Sequence, residues 1–370
     1  MNKTRLRVSR RTEMLIVGCV LASCFFTTGC FEGVIGGLGR TSQTWIAGGG
    51  FLDEITNADP NPTGLAVDTR SMVALGAPGL STYFLGGFFG GYPPPPTLVY
   101  VAPNGAGVNW VDTSKLSSLP QPQNISTGSH RVSNLARNGS TVYATHPDDS
   151  AISVITLAKG SQNVNTLPTP GRKPDGIAVS YQTPYTYVIS GNDVVKLEIG
   201  SSAIADHGSV SIPEGASDIG VGSGYVVVPN FANDIVYVFA DSSSASAPKQ
   251  LAAIQIDNGS PNSVAVSPDA AKAYVTIYTG SEGMDPGFVD VIDLKTFKVT
   301  SHYNVGACPT PIALTQSSGS GFFGTGTPST EDSLIYVGNQ CDNTVSVLSA
   351  SDGTGHTYPV QGVPNAIASE

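Results

Sequence analysis

The sequence is poor in charged residues, in long apolar runs and in recognisable chemical motifs. Only 12% of its 370 residues are Asp, Glu, Lys or Arg, and helical bundles carry far more of them on their surfaces. The apolar run Met14–Phe26 is too short to cross a bilayer as a mature helix. No nucleophile elbow, phosphate-binding loop or EF-hand loop is present, and no dinucleotide site is indicated, since the glycine runs at Gly48–Gly50 and Gly86–Gly91 have no helix to open. These shortages argue against a helical bundle and point to no particular enzyme class.

Cysteine is scarce as well. Three of the five cysteines lie within the first 30 residues, and the other two are Cys308 and Cys341. Neither the cysteines nor the five histidines show the spacing of a zinc or redox site. We therefore predict no metal centre and no cofactor.

Glycine and proline are abundant, with 43 and 26 residues, and they separate short apolar runs. The pattern is clearest in Pro261–Gly306. Three runs of alternating polarity, Ser263–Val266, Ala273–Ile277 and Phe288–Ile292, are followed by a looser run at Phe297–Val305. Alternation with a period of two predicts half-buried strands, and Gly/Pro clusters predict tight reversals. The segment therefore has the pattern of a four-stranded antiparallel meander.

The same unit recurs along the chain. Each copy opens with a motif close to Pro-polar-small-aliphatic-Ala, and after a first interval of 70 residues the copies start 42 to 55 residues apart. A period of about 40 to 45 residues with four strands per unit is typical of a propeller blade. The seven openings are Pro62–Ala66, Val132–Ala136, Pro174–Ala178, Ala216–Gly220, Pro261–Ala265, Pro309–Ala313 and Pro364–Ala368.

One repeat resembles a known family. Tyr336–Asn339 reads Tyr-Val-Gly-Asn, and Asn343–Val347 reads Asn-Thr-Val-Ser-Val. Together they resemble the YVTN-family β-propeller repeat, whose core reads Tyr-Val-Thr-Asn followed by Thr-Val-Ser-Val-Ile-Asp. Tyr225–Asn230 matches another part of that repeat, whereas Gly338 and Ser349 depart from it. The resemblance extends over residues 60–370 and implies a propeller that is similar in fold to the lactonases.

The number of units predicts how the ring closes. Seven openings are followed by only six complete units, so the last inner strand, Asn365–Ser369, needs partner strands from elsewhere. Thr44–Ala47 and Phe51–Ile55 are the candidates, and such closure removes exposed sheet edges. We predict an all-β fold, a seven-bladed β-propeller closed by its N- and C-terminal strands, with six blades as the alternative. Residues 62–370 would form the propeller, and residues 30–61 a tether with the closing strands.

The N-terminus has the pattern of an export signal. Five Lys and Arg residues precede the apolar run, and small residues then precede Cys24 and Cys30. Both cysteines resemble the lipobox of bacterial lipoproteins, in which the thiol is lipidated. Residues 1–29 are predicted to be a signal peptide with a lipobox, lipidated at Cys30 or Cys24; an ordinary cleaved signal peptide is the alternative. The expected location is the bacterial cell envelope, on its periplasmic face or at the cell surface.

Loss of this leader would leave an acidic body. Cleavage before Cys30 removes five basic residues and one acidic residue, which leaves 13 against 27 and a net charge of −14. Such a charge argues against nucleic acid and anionic membrane surfaces as partners. We expect a monomer that touches the membrane only through its lipid and whose partner is a protein or an envelope glycan.

Two insertions interrupt the repeat. Ser71–Thr97 separates the first two strands of the opening blade, and Ser317–Asp332 does the same in the sixth, so both would lie on one face. The first contains aromatic residues beside Pro93–Pro96, and exposed aromatic side chains suit protein contacts. It is a predicted partner-binding loop; the alternative is a tolerated loop that folds back over a blade. Its aromatic residues are Tyr83, Phe84, Phe88, Phe89 and Tyr92.

A small polar residue occupies the second position of every opening motif. In a propeller these positions ring one mouth of the central channel. They form a predicted hydrophilic binding site, and turn formation by short polar side chains is the alternative explanation. The seven residues are Thr63, Ser133, Asp175, Ser217, Asn262, Thr310 and Asn365.

The two remaining cysteines flank one predicted hairpin. Cys308 precedes the first strand of blade six, and Cys341 follows the second. In an antiparallel pair the start of one strand lies opposite the end of its neighbour. We therefore predict a disulfide between them, which an oxidising compartment would favour.

Catalysis in the channel is the alternative to binding. Lactonase-type propellers, to which the YVTN family is similar in fold, use cationic and acid-base side chains there. Candidate residues of these types lie next to the predicted mouth: His130, Arg131, Arg172, Lys173 and Glu214. None of them belongs to a lactonase motif. The leading hypothesis is a non-catalytic, envelope-anchored binding scaffold that acts through loops on one face, and the alternative is a lactonase-type hydrolase of small molecules.

Overall fold

The alternating runs form strands throughout the part of the chain that the computed structural model describes. All described residues belong to one unit, Ser42–Glu370. Their only helices are short 3-10 segments at Thr113–Ser118 and Phe231–Asn233, and none of them has the length and apolarity that a membrane crossing requires. The described residues are 44–48, 51–56, 59–63, 69, 71–75, 97–102, 105, 107–118, 121–128, 131–158, 161–222, 224–267, 269, 271–280, 285–315 and 333–369.

Twenty-eight strands form seven four-stranded antiparallel sheets. Strands β1 to β3 are Thr44–Gly48, Phe51–Thr56 and Asp59–Pro62. Blade one has β4 to β7, at Met72–Leu75, Thr97–Val101, Val108–Asp112 and Gln123–Ile125. Blade two has β8 to β11, at Leu135–Asn138, Thr141–His146, Ala151–Ala158 and Ser161–Pro168. Blade three has β12 to β15, at Pro174–Val179, Tyr185–Ser190, Asp193–Ile199 and Ile204–Ser211.

The remaining blades repeat this order. Blade four has β16 to β19, at Gly220–Gly222, Tyr225–Asn230, Ile235–Ala240 and Lys249–Gln255. Blade five has β20 to β23, at Ser260–Val266, Lys272–Tyr278, Pro286–Asp293 and Lys298–Ala307. Blade six has β24 to β27, at Pro309–Leu314, Leu334–Asn339, Thr344–Ser349 and Gly355–Pro359. Strand β28, Ala366–Ser369, is the last.

The ring closes through both ends of the described chain, which confirms the seven-bladed propeller. Blade seven has the order β28-β1-β2-β3. Strand β28 pairs antiparallel with β1, so that Ile367 lies opposite Ile46, and the Asn365 amide donates to the Ala47 carbonyl at 2.9 Å. Each inner strand also contacts the inner strand of the next blade, from β4 through β8, β12, β16, β20 and β24 to β28 and back to β4.

Neighbouring blades pack face to face, and their contacts form the core. In β21, Tyr274 and Val275 are completely buried. Tyr274 packs with Val337 of blade six, whereas Val275 packs with Val236 of blade four. Adjacent side chains of one strand point to opposite faces, so a middle strand contributes to two inter-blade clusters. Each fully buried aliphatic side chain contributes about 1.5 to 3 kcal/mol, which makes stacking the main stabilising term.

A polar joint links blades three and four. Lys196 is buried and donates to two backbone carbonyls of the loop after β18, at 2.7 Å each. Burial lowers the pKa of Lys196, although the nearby carboxylate of Asp241 opposes the shift. In the same loop, Asp241 accepts hydrogen bonds from three hydroxyl groups of blade three, those of Ser180, Thr183 and Tyr187. The buried polar groups are thus paired across the joint, as burial requires.

Blade one departs from the sequence prediction at its inner strand. Pro62 ends β3, where it pairs with Asp53 at the outer edge of blade seven, and the inner strand of blade one is β4. The predicted opening at Pro62–Ala66 is therefore wrong as the start of this blade. Proline lacks an N–H and suits an outer edge strand as well as the first residue of a strand. The predicted insertion Ser71–Thr97 includes β4, so residues 76–96 join the first two strands, and these lie outside the described residues.

Candidate functional site at the channel mouth

The starts of the seven inner strands surround a cavity of about 320 Å³. Its apolar ring has one residue per blade, namely the aliphatic position of six openings and, in blade one, Met72 at the start of β4. Polar side chains and backbone groups of the two preceding positions complete the lining. The ring residues are Met72, Leu135, Ile177, Ile219, Val264, Ile312 and Ile367.

The predicted polar ring is present only in part. Four of its seven residues, Ser217, Asn262, Thr310 and Asn365, line the cavity. The side chains of Ser133 and Asp175 hydrogen-bond to each other and are not part of the lining. The pair joins blade two to blade three, so a structural role accounts for both residues.

Thr63 differs from the prediction. Its hydroxyl donates to the Leu52 carbonyl of blade seven at 2.7 Å, and it does not line the cavity. The opening that contains it follows the outer strand of blade seven rather than beginning an inner strand. Ser71, just before β4, contributes the lining of blade one in its place.

Sequence reasoning missed the third position of the openings. In three blades the pairing of the inner strand shifts register across this position, for example between Pro261 and Val264. Such a bulge turns two consecutive residues toward one side, so second and third positions can both face the channel. The repeated Pro followed by two small or polar residues was the available signal. Ser71 precedes β4 at the equivalent place in blade one, and the third-position lining residues of the other blades are Asn134, Gly176, Asp218, Ser263, Pro311 and Ala366.

Asp218 is the one ionisable side chain among the described lining residues. One carboxylate oxygen accepts hydrogen bonds from the Ser263 hydroxyl at 2.6 Å and the Val264 amide at 2.9 Å. The other accepts from the Ile219 amide at 2.8 Å. Burial raises the pKa of Asp218 and these three hydrogen bonds oppose the rise. The carboxyl therefore ties blade four to blade five.

Similar ties recur around the mouth. The Leu135 amide donates to the Ser71 hydroxyl at 3.0 Å, which joins blades one and two. The Ser217 hydroxyl donates to the Asn262 carbonyl at 2.6 Å, which joins blades four and five. Several polar groups of the mouth therefore hold neighbouring blades together. Hydrogen bonds in turns and between blades account for part of the predicted polar ring.

The catalytic candidates do not gather in the cavity. Arg172 is paired with Asp193 at 3.0 Å and with Asp206 at 2.8 Å, on the two outer strands of blade three. The hydrogen bond from Arg172 and that from the Gly208 amide outweigh burial and lower the pKa of Asp206. None of the described candidates lines the cavity. Arg131, Lys173 and Glu214 are exposed, and His130 lies outside the described residues.

Two described histidines contact the third strand of their own blade, His302 from the fourth strand of blade five and His146 from the second strand of blade two. His302 lies opposite Asp290, and its Nδ1 is 2.5 Å from the carboxylate of that residue. Burial raises the pKa of Asp290 and the contact with His302 opposes the rise. In blade two, His146 lies 2.8 Å from the Ser153 hydroxyl. No group of three metal-binding side chains occurs among the described residues.

The predicted disulfide is present. Cys308 and Cys341 are bonded, with their Cα atoms 5.4 Å apart. It connects the start of β24 to the turn after β25, beside Thr310 at the mouth. The antiparallel pairing of these two strands supplies the proximity on which the prediction depended.

Other predicted sites lie outside the described residues. These are the lipidation candidates Cys24 and Cys30 and the aromatic cluster Tyr83, Phe84, Phe88, Phe89 and Tyr92. The described strands do fix where residues 76–96 begin and end, since Leu75 pairs with Thr97.

Comparisons with known proteins agree with the fold. No family model matches the chain, and no curated protein matches it. Solved structures similar to it include a Lactobacillus plantarum protein (10% identity, TM-score 0.62) and a candidate 6-phosphogluconolactonase from Bacteroides uniformis (12%, 0.60). Apo AztD from Citrobacter koseri is another (14%, 0.58). Each alignment covers 90% of this chain and 98 to 100% of the other. At such identities the similarity establishes the β-propeller fold alone.

Proposed function

We propose that this protein is a YVTN-type β-propeller, anchored in the bacterial envelope by a lipid on Cys30 or Cys24, that binds a protein or an envelope glycan without catalysing a reaction. The partner would be held on the face from which the two insertions leave, which we call the insertion face. It is defined by the ends of the inner strands of blades one and six, Leu75 and Leu314.

The observation that carries the proposal is the position of these strand ends. Residues 76–96 connect β4 to β5, and residues 315–333 connect β24 to β25. Blades one and six are the two neighbours of blade seven, since β4 and β24 both contact β28. The two longest connections between first and second strands therefore start on the same face, on either side of the closing blade. Long loops on a rigid scaffold are common binding elements.

Other features are consistent with export and binding. The disulfide suits an oxidising compartment. Arg172, one of the cationic candidates for catalysis, is engaged by two aspartates. These observations support a scaffold over an enzyme.

Co-sedimentation with envelope material tests the proposal. Wild-type protein and a variant with residues 76–96 replaced by a short Gly/Ser linker would both be produced without residues 1–30, so that no lipid anchors them; the described ring begins at β1, after this segment. They would be mixed with cell envelopes, intact or pretreated with protease or with glycan-degrading enzymes. Wild type should sediment, and the variant should lose most of this binding while keeping its melting temperature. Loss after protease indicates a protein partner, and loss after glycan degradation indicates a glycan.

The matched control replaces the exposed residues 201–203, which join β14 to β15 in blade three, by a Gly/Ser linker of the same length. This variant should bind as wild type does. Equal binding by all three proteins, or no binding by wild type, would contradict the proposal.

The anchor has a separate test. Labelled palmitate should be incorporated into wild type and lost in either Cys30→Ala or Cys24→Ala, which identifies the lipidated residue. Absence of label in wild type would refute the lipid anchor and leave the binding surface to be judged by co-sedimentation.

A lactonase-type hydrolase is the second candidate. It is favoured by the similarity to the candidate 6-phosphogluconolactonase, although no Lys, Arg or His is found among those lining residues that the structure describes. An assay that measures proton release during hydrolysis of a panel of lactones distinguishes the hydrolase from the scaffold. Turnover that is lost in Asp218→Asn but retained in Asp148→Asn, an exposed control, would establish the hydrolase and contradict the scaffold.

A further inference from the structure

The channel mouth contains polar side chains that the fold itself does not use. Ser71, Ser217, Asp218 and Ser263 all hydrogen-bond across blade joints. By contrast, the side-chain amides of Asn134 and Asn262 and the hydroxyl of Thr310 have no side-chain hydrogen bond to any described residue. All three line the cavity and are half-buried.

These three groups are spread around the opening. They belong to blades two, five and six, so they face the cavity from different directions. Each amide offers one acceptor and two donors, and the hydroxyl offers one donor and two acceptors. A polar group in a concave, partly dehydrated position favours the binding of a ligand that supplies hydrogen-bond partners for it.

The charge of the mouth restricts the ligand. No described lining residue is cationic, so this part of the lining offers an anion no countercharge. Asp218 is the single carboxyl, and its two oxygens already accept three hydrogen bonds. A cation would have to compete with these donors. Neutral ligands avoid both costs.

The size and lining restrict it further. A cavity of about 320 Å³ lies at the lower end of the roughly 300 to 1,000 Å³ that is usual for small-molecule sites. Its seven aliphatic side chains offer a surface for C–H groups, and the amides and hydroxyl lie next to them. This combination suits a small molecule with several hydroxyl groups on a carbon ring.

We propose that the mouth formed by Asn134, Asn262 and Thr310 binds an uncharged, hydroxyl-rich small molecule of about monosaccharide size. The site is independent of the insertion face, because these residues lie at the starts of inner strands and the insertions leave from their ends. Failure of one proposal therefore leaves the other standing.

A charge-matched set of sugars tests the ligand class. Saturation-transfer NMR would measure binding of glucose, galactose, N-acetylglucosamine and myo-inositol, together with glucuronate and glucosamine as anionic and cationic analogues. At least one neutral compound should bind with a Kd of about 10 mM or tighter. Glucuronate should bind at least about tenfold more weakly than its neutral counterpart.

Variants then locate the site. Asn134→Ala combined with Asn262→Ala should weaken binding at least about tenfold, since two bidentate partners are lost. The control Asn163→Ala lies on the exposed outer strand of blade two and should bind as wild type does. The double variant should keep the wild-type melting temperature, because neither side chain hydrogen-bonds to a described residue. Thr310→Val, which preserves shape, is the second variant if the first fails to fold.

Each contrary result overturns the proposal. No binding by any neutral compound would remove the site. Binding that survives both the double variant and Thr310→Val would place the ligand elsewhere. Equal or tighter binding of glucuronate or glucosamine would refute the uncharged class.

Discussion

Blades five and seven have the same architecture but different connectivity. Blade five is one continuous segment, Ser260–Ala307, whereas blade seven combines β28 with β1, β2 and β3. In both, an aliphatic residue of the inner strand faces one of the second strand: Val264 opposes Val275 in blade five, and Ile367 opposes Ile46 in blade seven. Only the covalent connection between these strands is missing in blade seven.

Noncovalent contacts take the place of that connection. The Gln361 side chain donates to the Asp53 carboxylate at 3.1 Å across 308 residues of chain. Phe51 packs beside Gly362, where an added Cβ would lie 3.2 Å from its ring. Pairing that joins distant parts of a chain requires loop closure, whose entropic cost a local hairpin largely avoids. Blade seven should therefore be the part of the ring where substitutions have the largest global effect.

The largest effect is expected from a charge in the closing strand. Ile367→Asp would place a carboxylate among Ile46, Phe51 and Val345 and should destabilise the protein by more than about 4 kcal/mol. Val363→Asp is the matched control in the same tail, at an exposed position, and should change stability by less than about 0.5 kcal/mol. Chemical denaturation measures both. Similar stabilities for the two variants would show that closure contributes little.

The disulfide of blade six should have the next largest effect. It closes a loop of 33 residues, and the chain-entropy model gives about 3 to 4 kcal/mol for that length. Replacing both cysteines by serine should lower the free energy of unfolding by this amount, and dithiothreitol should reproduce the loss in wild type. A change below about 1 kcal/mol would mean that strand pairing alone fixes this hairpin.

The hydrogen bond between the two chain ends should have a smaller, pH-dependent effect. Burial raises the pKa of Asp53, and hydrogen bonds from Gln361 oppose the rise. An acid whose folded pKa is raised contributes most stability below its unfolded pKa, and this contribution falls as pH increases through the folded pKa. Gln361→Ala removes a partner of the charged form, so the variant should lose about 1 kcal/mol at pH 7 and less at pH 4. Thermal unfolding at both pH values measures this. A loss that is larger at pH 4 would contradict the assignment.

The smallest effect is expected in hydrogen exchange of the wild type. Residues of β28 lie in a four-residue strand near the end of the chain, whereas β20 is held by a continuous blade. The amide of Ala368, opposite Trp45, should exchange at least about tenfold faster than that of Ala265, which lies opposite Tyr274 at the equivalent position, because a short strand without a covalent link to its partner opens locally. Equal protection would indicate that blade seven opens only together with the whole ring.

Much of the fold follows from local patterns. Strand β21 was predicted because alternating residues such as Ala273 and Ile277 lie between Gly/Pro clusters, and closure by β1 followed from the unpaired final opening. Position Pro62 was misassigned because proline suits both an edge strand and a strand start. Cys308 and Cys341 were paired correctly because antiparallel pairing alone brings strand start and strand end together.

The candidate site was less predictable. Asn262 and Thr310 were identified from the motif, but Asn134 and Asp218 were missed because strict alternation assigns only one of two consecutive positions to the channel. The structure places residues of both positions in the lining, with a register shift between them and the strand in blades three, five and six. Arg172 has the residue type of a catalytic cation, and only the structure pairs it with Asp193 and Asp206. Residue type and proximity in sequence carry no information about which partner a long side chain reaches.

The sequence by itself determined the repeat, the strand order within blades and the need for the two ends to meet, because strand periodicity and turn chemistry are local properties of the chain. Only the tertiary structure decided which side chains face the channel and which are used in joints between blades. Those outcomes depend on hydrogen-bond register and on the packing of neighbouring sheets, and both arise from residues far apart in sequence.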